Sequence, residues 1–228
     1  MKKLVVVLSV LLFLNGNFGV AKEISQADIQ RYSAYYSNGM QFFKNQQFSS
    51  AITEFKKVLR FSPYDKTTQN ALANTYYARA QYYQKQTKEY KKALLDYKSA
   101  YFYAKYWQDS QLDSNLISSS QKEISDLEKR LAISSSPESR IQSAKILKAQ
   151  GELAAAGYEL EQVKNTKYKE VAYENLGNIF KNLNNLASAM DCYKTAIDIN
   201  PKNPRSHFWY GTMLDEAGNF EASMEQFN

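Results

Sequence analysis

NLGNIFKNLNNLASAMDCYKTAIDINP, residues 175–201, is the stretch of this 228-residue chain that decides the fold. Its glycine, Gly177, returns 34 residues later as Gly211, within the same pattern of aromatic and small residues. The pattern also returns near the N-terminus as GMQFFKNQQFSSAITEFKKVLRFSP, residues 39–63. A period of this length is typical of stacked helical hairpins, in which no unit buries its apolar face alone. The sequence therefore predicts an all-α array of antiparallel helix hairpins.

The glycines that follow the first 21 residues support this pattern. Those that share one point of the first helix, where a side chain would hold two helices apart, are Gly39, Gly177 and Gly211. Gly151 and Gly218 fall at the turn between the two helices, where a positive φ is often needed. Only Gly157 lies outside the pattern.

The four prolines also fit the hairpins. Pro63 and Pro201 each lie 24 residues after a repeat glycine, where the second helix must stop. Pro137 and Pro204 lie where the next hairpin begins, at a position that tolerates a missing N–H. Both ends of the hairpins are therefore predicted from local backbone chemistry.

Residues 175–201 and 39–63 closely resemble the tetratricopeptide repeat. The resemblance implies a right-handed superhelical solenoid that binds a protein or peptide partner in a concave groove. About five units are predicted, two within 22–107 and three within 137–228, of which the last is incomplete. In the third unit Ala144 takes the place of the repeat glycine.

Two segments depart from the repeat. The second unit is eight residues longer around Gln81–Lys88, which predicts about one additional turn on each of its helices. Between units two and three, residues 108–136 have the apolar spacing of one amphipathic helix. This helix either continues the stack as half a unit or separates two sub-arrays, 22–107 and 137–228.

Aromatic residues are unusually dense in residues 101–107, YFYAKYW. Consecutive aromatics cannot all face one core on a helix. We therefore consider two interpretations: packing against neighbouring helices, including the 108–136 helix, and a patch that binds a partner.

Residues 1–21 are predicted to be a cleavable secretory signal peptide. Lys2 and Lys3 precede an apolar run from Leu4 to Leu14, and mostly small residues follow as far as Ala21. The run is shorter than the roughly 20 residues of a membrane span, although an uncleaved N-terminal anchor is the alternative. The expected location is periplasmic or extracellular, in a bacterial envelope.

The net charge argues against nucleic-acid binding, and the single cysteine excludes an intramolecular disulfide. The net charge of +6, less Lys2 and Lys3, leaves +4 with both signs mixed along the helices. This is typical of solvated helix faces and unlike the clustered basic face of nucleic-acid readers. Cys192 cannot form an intramolecular disulfide, and we expect a half-buried thiol in preference to a bridge to another chain.

No catalytic or cofactor site is expected in this chain. One histidine, His207, excludes a metal site with two histidines, and it falls on a packing position of the repeat. No glycine-rich phosphate loop is present, and the carboxylates are scattered. The chain is therefore predicted to have no enzymatic activity, no cofactor, no metal and no small-molecule substrate.

The resemblance assigns the concave groove mainly to the first helices of the units. The groove positions that it implies are Tyr36, Met40, Phe43, Asn70, Asn74, Tyr77, Ile141, Lys145, Lys148, Glu174, Asn178 and Lys181. Asparagine can pair with a peptide backbone, and lysine with a carboxylate. The alternative is that these are ordinary solvated helix residues. The family's Lys–Asn clamp for a C-terminal carboxylate is replaced in the first unit by Tyr36 and Met40.

The predicted function is an exported scaffold that binds a protein or peptide partner. The alternative is an accessory repeat region of a longer exported enzyme whose catalytic domain follows residue 228. An open last unit, ending at Phe227-Asn228, indicates either a fragment or an end that a partner covers, and it also allows self-association.

Overall fold

The computed structural model describes residues 26–106 and 111–227, and within them it contains eleven α-helices and no strand. The helices are α1 (Gln26–Lys44), α2 (Phe48–Phe61), α3 (Lys66–Tyr82), α4 (Tyr90–Tyr106), α5 (Gln111–Arg130), α6 (Pro137–Ala149), α7 (Leu153–Glu161), α8 (Lys169–Asn182), α9 (Leu186–Ile199), α10 (Pro204–Glu216) and α11 (Phe220–Phe227). The predicted signal peptide and Trp107 lie outside the described residues. None of the described helices is long and apolar enough to cross a bilayer.

The helices form a solenoid of hairpins, as the sequence predicts. The hairpin pairs are α1 with α2, α3 with α4, α6 with α7, α8 with α9, and α10 with α11. In three of them a repeat glycine lies against an aromatic ring of the second helix: Gly39 against Phe55, Gly177 against Tyr193, and Gly211 against Phe227. A methyl group on any of these glycines would collide with the ring. The glycines are therefore required where these three hairpins close.

In four of the five hairpins the turn between the two helices has the same backbone geometry. Gly151 and Gly218 have φ values of 80° and 78°, which confirms the predicted positive φ. Gln46 and Asn184 occupy the corresponding turns with φ values of 58° and 60°. After each of these residues, a backbone N–H donates to the carbonyl five residues earlier, which satisfies the helix end.

The prolines also lie where they were predicted. Helices α6 and α10 begin at Pro137 and Pro204, and their N-termini are capped by Ser136 and Asn203. A missing N–H costs nothing at this position, because no intrahelical acceptor is available there. The sequence thus fixes the start of both hairpins.

The additional residues of the second unit are helical. Helices α3 and α4 have 17 residues each, against 14 in α8 and in α9, which is close to one additional turn. A short π-helix, Tyr83–Thr87, follows α3 and ends at Lys88, whose φ of 59° reverses the chain. The prediction of a lengthened hairpin is confirmed.

The second sub-array packs back on the first through α4. Helix α4 contacts α3, α5 and α7, so the sub-arrays touch directly and α5 does not hold them apart. Gly157 of α7 lies against the ring of Phe102 in α4, in the same manner as the repeat glycines. The one glycine outside the sequence pattern therefore closes the joint between the two sub-arrays.

This arrangement accounts for the dense aromatic run. Tyr101, Phe102 and Tyr103 are all buried, because three different neighbours surround α4. Tyr101 meets Tyr158 edge to face, Phe102 stacks on Phe180, and Tyr103 stacks on Tyr76. These three aromatics pack in the interior and are not available as a surface patch.

Buried charges hold α4, α5, α6 and α7 together. Lys98 of α4 pairs with Glu128 of α5 and Glu159 of α7, and Arg140 of α6 pairs with the same two carboxylates. Arg140 contacts both oxygens of Glu128 at 2.6 Å. Two positive and two negative groups thus alternate in a closed ring, so each buried charge has a partner.

Candidate partner-binding groove

A groove runs between α6 and α8, the first helices of the third and fourth units. It encloses about 340 Å³, within the range of ligand pockets, and opens to solvent along one side. The apolar residues that line it are Ile141, Ala144, Ala149, Leu160 and Ile179, and the polar ones are Lys145, Lys148 and Asn175. We refer to it as the α6–α8 groove.

The floor of the groove follows from the unusual third unit. Ala144 stands where the first, fourth and fifth units have glycine, and Leu160 stands where those units have an aromatic ring. The shorter leucine leaves room for the alanine methyl group, so this hairpin can close without a glycine. Both residues are buried, and together they form an apolar base between the two first helices.

Polar groups line the rim above this base. Lys145 and Lys148 are exposed, and neither forms an ion pair with any residue in 26–106 or 111–227. Across the groove, Asn175 donates its side-chain N–H to the carbonyl of Val171 at 2.8 Å. Two ammonium groups and one amide therefore face an apolar floor.

Three of the predicted groove residues, Ile141, Lys145 and Lys148, lie together in this groove. The sequence did not identify Asn175 and Ile179. Each of them follows a predicted residue by one position, and a helix turns by about 100° per residue. The sequence does not indicate which side of α8 faces α6, because this depends on how the third and fourth units pack.

Two of the predicted residues, Glu174 and Asn178, are buried and are used within the protein. Glu174 pairs with Arg205 at 2.8 Å and accepts a hydrogen bond from Asn203. Asn178 donates to the Glu174 carbonyl and accepts a hydrogen bond from the Tyr193 hydroxyl at 3.2 Å. Glu174 joins the fourth unit to the fifth, and Asn178 joins α8 to α9, so neither residue lines the groove.

The predicted residues of the first unit are half-buried and support its hairpin. Tyr36 packs on Phe55 with ring centroids 5.8 Å apart, and Phe43 packs on Phe48 at 6.0 Å. Met40 packs against the main core cluster. These three residues do not line the α6–α8 groove.

The predicted residues of the second unit differ in exposure. Asn74 is exposed, and its side-chain N–H donates to the carbonyl of Asn70 at 2.8 Å. Tyr77 is half-buried and meets the ring of Tyr97 edge to face. This set is separated from the α6–α8 groove, whose lining comes only from α6, α7, α8 and the residues that adjoin them.

Lys181, the last predicted residue, lies over the indole ring of Trp209, with 3.2 Å from its nitrogen to the ring centroid. Partial burial lowers the pKa of its ammonium group. Lys181 also lines a second cavity of about 520 Å³, between the α2–α4 part of the fold and the turns 151–154 and 181–184. We refer to this space as the junction cavity.

The single histidine and the single cysteine of this chain both contribute to packing. His207 has one ring nitrogen 2.9 Å from Gln226 and the other 3.0 Å from the Pro201 carbonyl. Cys192 is buried, more than the expected half-buried position, and burial raises the pKa of its thiol to about 12. Across 26–106 and 111–227, no three His, Cys, Asp or Glu residues converge to hold a metal.

Comparison with known families identifies the repeat. The tetratricopeptide repeat profile matches residues 171–203, which cover α8 and α9, and a second profile of the same description matches residues 192–225. These residues form tetratricopeptide repeats. The α6–α8 groove therefore has one wall, α8, inside a recognised tetratricopeptide repeat.

Several solved structures resemble this chain at low sequence identity. A MamA protein is 18% identical, with 87% of this chain and 88% of that chain covered and a TM-score of 0.39. PilF of Pseudomonas aeruginosa is 14% identical over 86% and 73%, with a TM-score of 0.39. A thermophilic TPR protein of Thermus thermophilus is 17% identical over 80% and 98%, with a TM-score of 0.34. No curated protein sequence matches the chain.

Proposed function

We propose that this protein is an interaction scaffold that binds an extended segment of a protein partner in the α6–α8 groove. Tetratricopeptide repeats support a scaffold role in general, and the groove supports this particular surface. The observation that carries the proposal is an apolar floor bordered by two exposed lysines that have no ion-pair partner among the described residues.

The composition of the groove indicates what the partner segment contains. Ile141 is half-buried and offers an apolar side chain on the α6 wall, and the buried Ile179 lies behind the α8 wall, which suits an aliphatic or aromatic side chain. Lys145 and Lys148 suit a carboxylate beside that side chain. The partner is therefore expected to present an apolar residue next to an acidic one.

The partner's backbone has a counterpart as well. Asn175 donates its side-chain N–H to the Val171 carbonyl, which leaves its side-chain oxygen as an acceptor for an incoming donor. A side-chain amide can pair with an extended peptide N–H, and the pairing does not depend on the partner's side chains. Asn175 would thus bind the main chain of the partner peptide, while the apolar floor and the two lysines determine which side chains the peptide must carry.

The groove is held rigidly from behind. The ring of Tyr193 fills the space at Gly177 in α8, and the buried ring of charges fixes α6 through Arg140. Preorganised walls reduce the ordering cost of binding, so more of the contact energy contributes to affinity. The arrangement favours recognition of a short segment.

A random peptide library displayed on phage tests this function with the full chain as bait. We expect enriched peptides to combine an apolar residue with a neighbouring acidic residue. The double variant Lys145→Glu and Lys148→Glu reverses the rim charge and should weaken an enriched peptide by about tenfold, which corresponds to about 1.4 kcal/mol.

The matched control is Lys122→Glu with Lys129→Glu, which reverses two exposed lysines on α5, away from the groove. This control should bind the enriched peptide with unchanged affinity, as measured by fluorescence polarisation. Failure to enrich any peptide, or equal loss of affinity in both double variants, would refute the groove as the binding site.

We also propose that the chain is exported. The support is the basic start, the apolar run and the small-residue ending within residues 1–21. Expression of the full chain in a Gram-negative host, followed by fractionation and N-terminal sequencing, tests this directly. Export predicts an envelope-located chain that starts near Lys22, and an uncleaved chain confined to the cytoplasm would contradict it.

A further inference from the structure

The junction cavity is a second concave site, and it exists because the two sub-arrays fold together. Helices α2, α3 and α4 form one side, and the turns that contain Gly151 and Asn184 form the other. The Tyr64 hydroxyl accepts a hydrogen bond from the backbone N–H of Leu186 and joins the two sides beside the cavity. No single hairpin could form this space.

Its charge lies mainly on one wall. Lys56 and Arg60 are four residues apart on α2, so they project from the same face of the helix. Both are exposed, and neither has an ion-pair partner among residues 26–106 and 111–227. Lys181 adds a third positive group, held over Trp209, and Glu152 is the acidic residue in the lining.

The inner wall adds hydrogen-bonding groups. Gln69 is 1% exposed, and its N–H donates to the Pro63 carbonyl. Its side-chain oxygen has no partner in the part of the chain that the structure describes. A buried acceptor without a donor is unfavourable, so a ligand N–H or O–H at this wall would relieve it.

Two tyrosines also line the cavity. Tyr76 and Tyr103 are buried and stack with ring centroids 5.8 Å apart. Burial raises the pKa of both hydroxyls, so each keeps its proton at neutral pH. The stacked rings, 3% and 4% exposed, support the inner wall of the cavity.

We infer that the junction cavity binds a carboxylate that carries an adjacent hydrogen-bond donor. Lys56 and Arg60 would hold the carboxylate, because an arginine fork and an ammonium both match its oxygens. The adjacent N–H or O–H would reach Gln69. Such a group is supplied either by a small organic acid or by the C-terminal residue of a peptide, and the volume of about 520 Å³ accommodates either.

Isothermal titration calorimetry on the full chain tests this inference. The first probe is N-acetyl-L-glutamate, a free organic acid with an amide N–H. The second is an N-acetylated alanine-rich tetrapeptide with a free C-terminal carboxylate, and its C-terminal amide is the control ligand. We expect at least one carboxylate probe to bind, and the probe that binds identifies the source of the carboxylate.

Three variants make the result specific. Lys56→Gln with Arg60→Gln should weaken the bound probe by at least about tenfold, since charged hydrogen bonds contribute most of the selectivity. Lys44→Gln with Lys91→Gln removes equal charge from exposed positions outside the lining and should leave the affinity within about twofold. The groove variant Lys145→Glu should also leave it unchanged, so the two sites are tested separately.

The inference is overturned if neither carboxylate probe binds the unmodified chain. It is equally overturned if the amidated peptide binds as well as the free acid, or if the Lys56 and Arg60 double variant keeps full affinity. Circular dichroism of each variant establishes that its helices remain folded.

Discussion

Replacement of Gly157 by alanine tests the joint between the two sub-arrays. A Cβ atom built on Gly157 lies 2.5 Å from Cζ of Phe102, whereas ordinary contact begins near 3.4 Å, so the ring would have to retreat by about 0.9 Å. The ring is confined by Phe180 at 5.4 Å and Tyr106 at 4.8 Å between centroids. A retreat would therefore disturb the packing of α4 against α7 and α8.

The expected magnitude follows from two opposing effects. Alanine in place of glycine inside helix α7 stabilises the helix by about 1 kcal/mol. Overpacking a filled core costs about 1–3 kcal/mol, and the confined Phe102 ring favours the upper value. Gly157→Ala should therefore lower the free energy of unfolding by about 2 kcal/mol, as measured by urea denaturation followed by circular dichroism.

A second background separates the two effects. In a Phe102→Leu chain the shorter side chain makes room for the methyl group, so Gly157→Ala should now stabilise by about 1 kcal/mol. The change of sign corresponds to a coupling of about 3 kcal/mol between the two positions. Stabilisation by Gly157→Ala in the unmodified chain would refute the close contact between α4 and α7.

Three further perturbations test the turns, the buried charges and the alkaline limit. Gln46 has a left-handed φ of 58°, so Gln46→Gly should raise the free energy of unfolding by about 1 kcal/mol in urea, and an unchanged midpoint would contradict that turn. Arg140→Met leaves two carboxylates with one buried cation and should cost about 3–5 kcal/mol, whereas Lys129→Met on the exposed face of α5 should be nearly neutral in the same assay. Burial raises the pKa of Tyr76, and it raises that of Cys192 from 9.0 to about 12, so the folded state holds these protons more tightly than the unfolded state. The free energy of unfolding should therefore be highest below pH 9 and fall as the pH rises toward 12. A melting temperature that does not change over this pH range would exclude this effect.

Features that depend on local backbone chemistry were accessible from the sequence. Gly151 marks a left-handed turn and Pro137 a helix start, because each residue type suits one conformation whatever surrounds it. The lengthened second unit was predicted for the same reason, since its additional residues had to enter the two flanking helices. The hairpins and their order follow from such positions.

Features that depend on contact between units were not accessible. Gly157 lay outside the repeat because its partner, Phe102, is in another hairpin, and no period links the two. Of the expected groove residues, Lys145 lines the α6–α8 groove, but Asn178 is buried and bonded to Tyr193 within the fourth unit, and its neighbour Ile179 lies in the lining instead. Periodicity predicts which face of a helix is buried, but which neighbouring helix contacts that face depends on how the sub-arrays pack.

The position of α4 limits how this protein can vary. In a linear array each unit meets only its two neighbours, so units can be added or removed with little effect on the others. Here α4 is shared by three helices from different parts of the chain. Duplication of a hairpin elsewhere would lengthen the array, whereas an insertion between α4 and α7 would break a contact on which both halves depend. We therefore expect homologues to differ in length at the ends of the array and to keep the spacing from α4 to α7 constant.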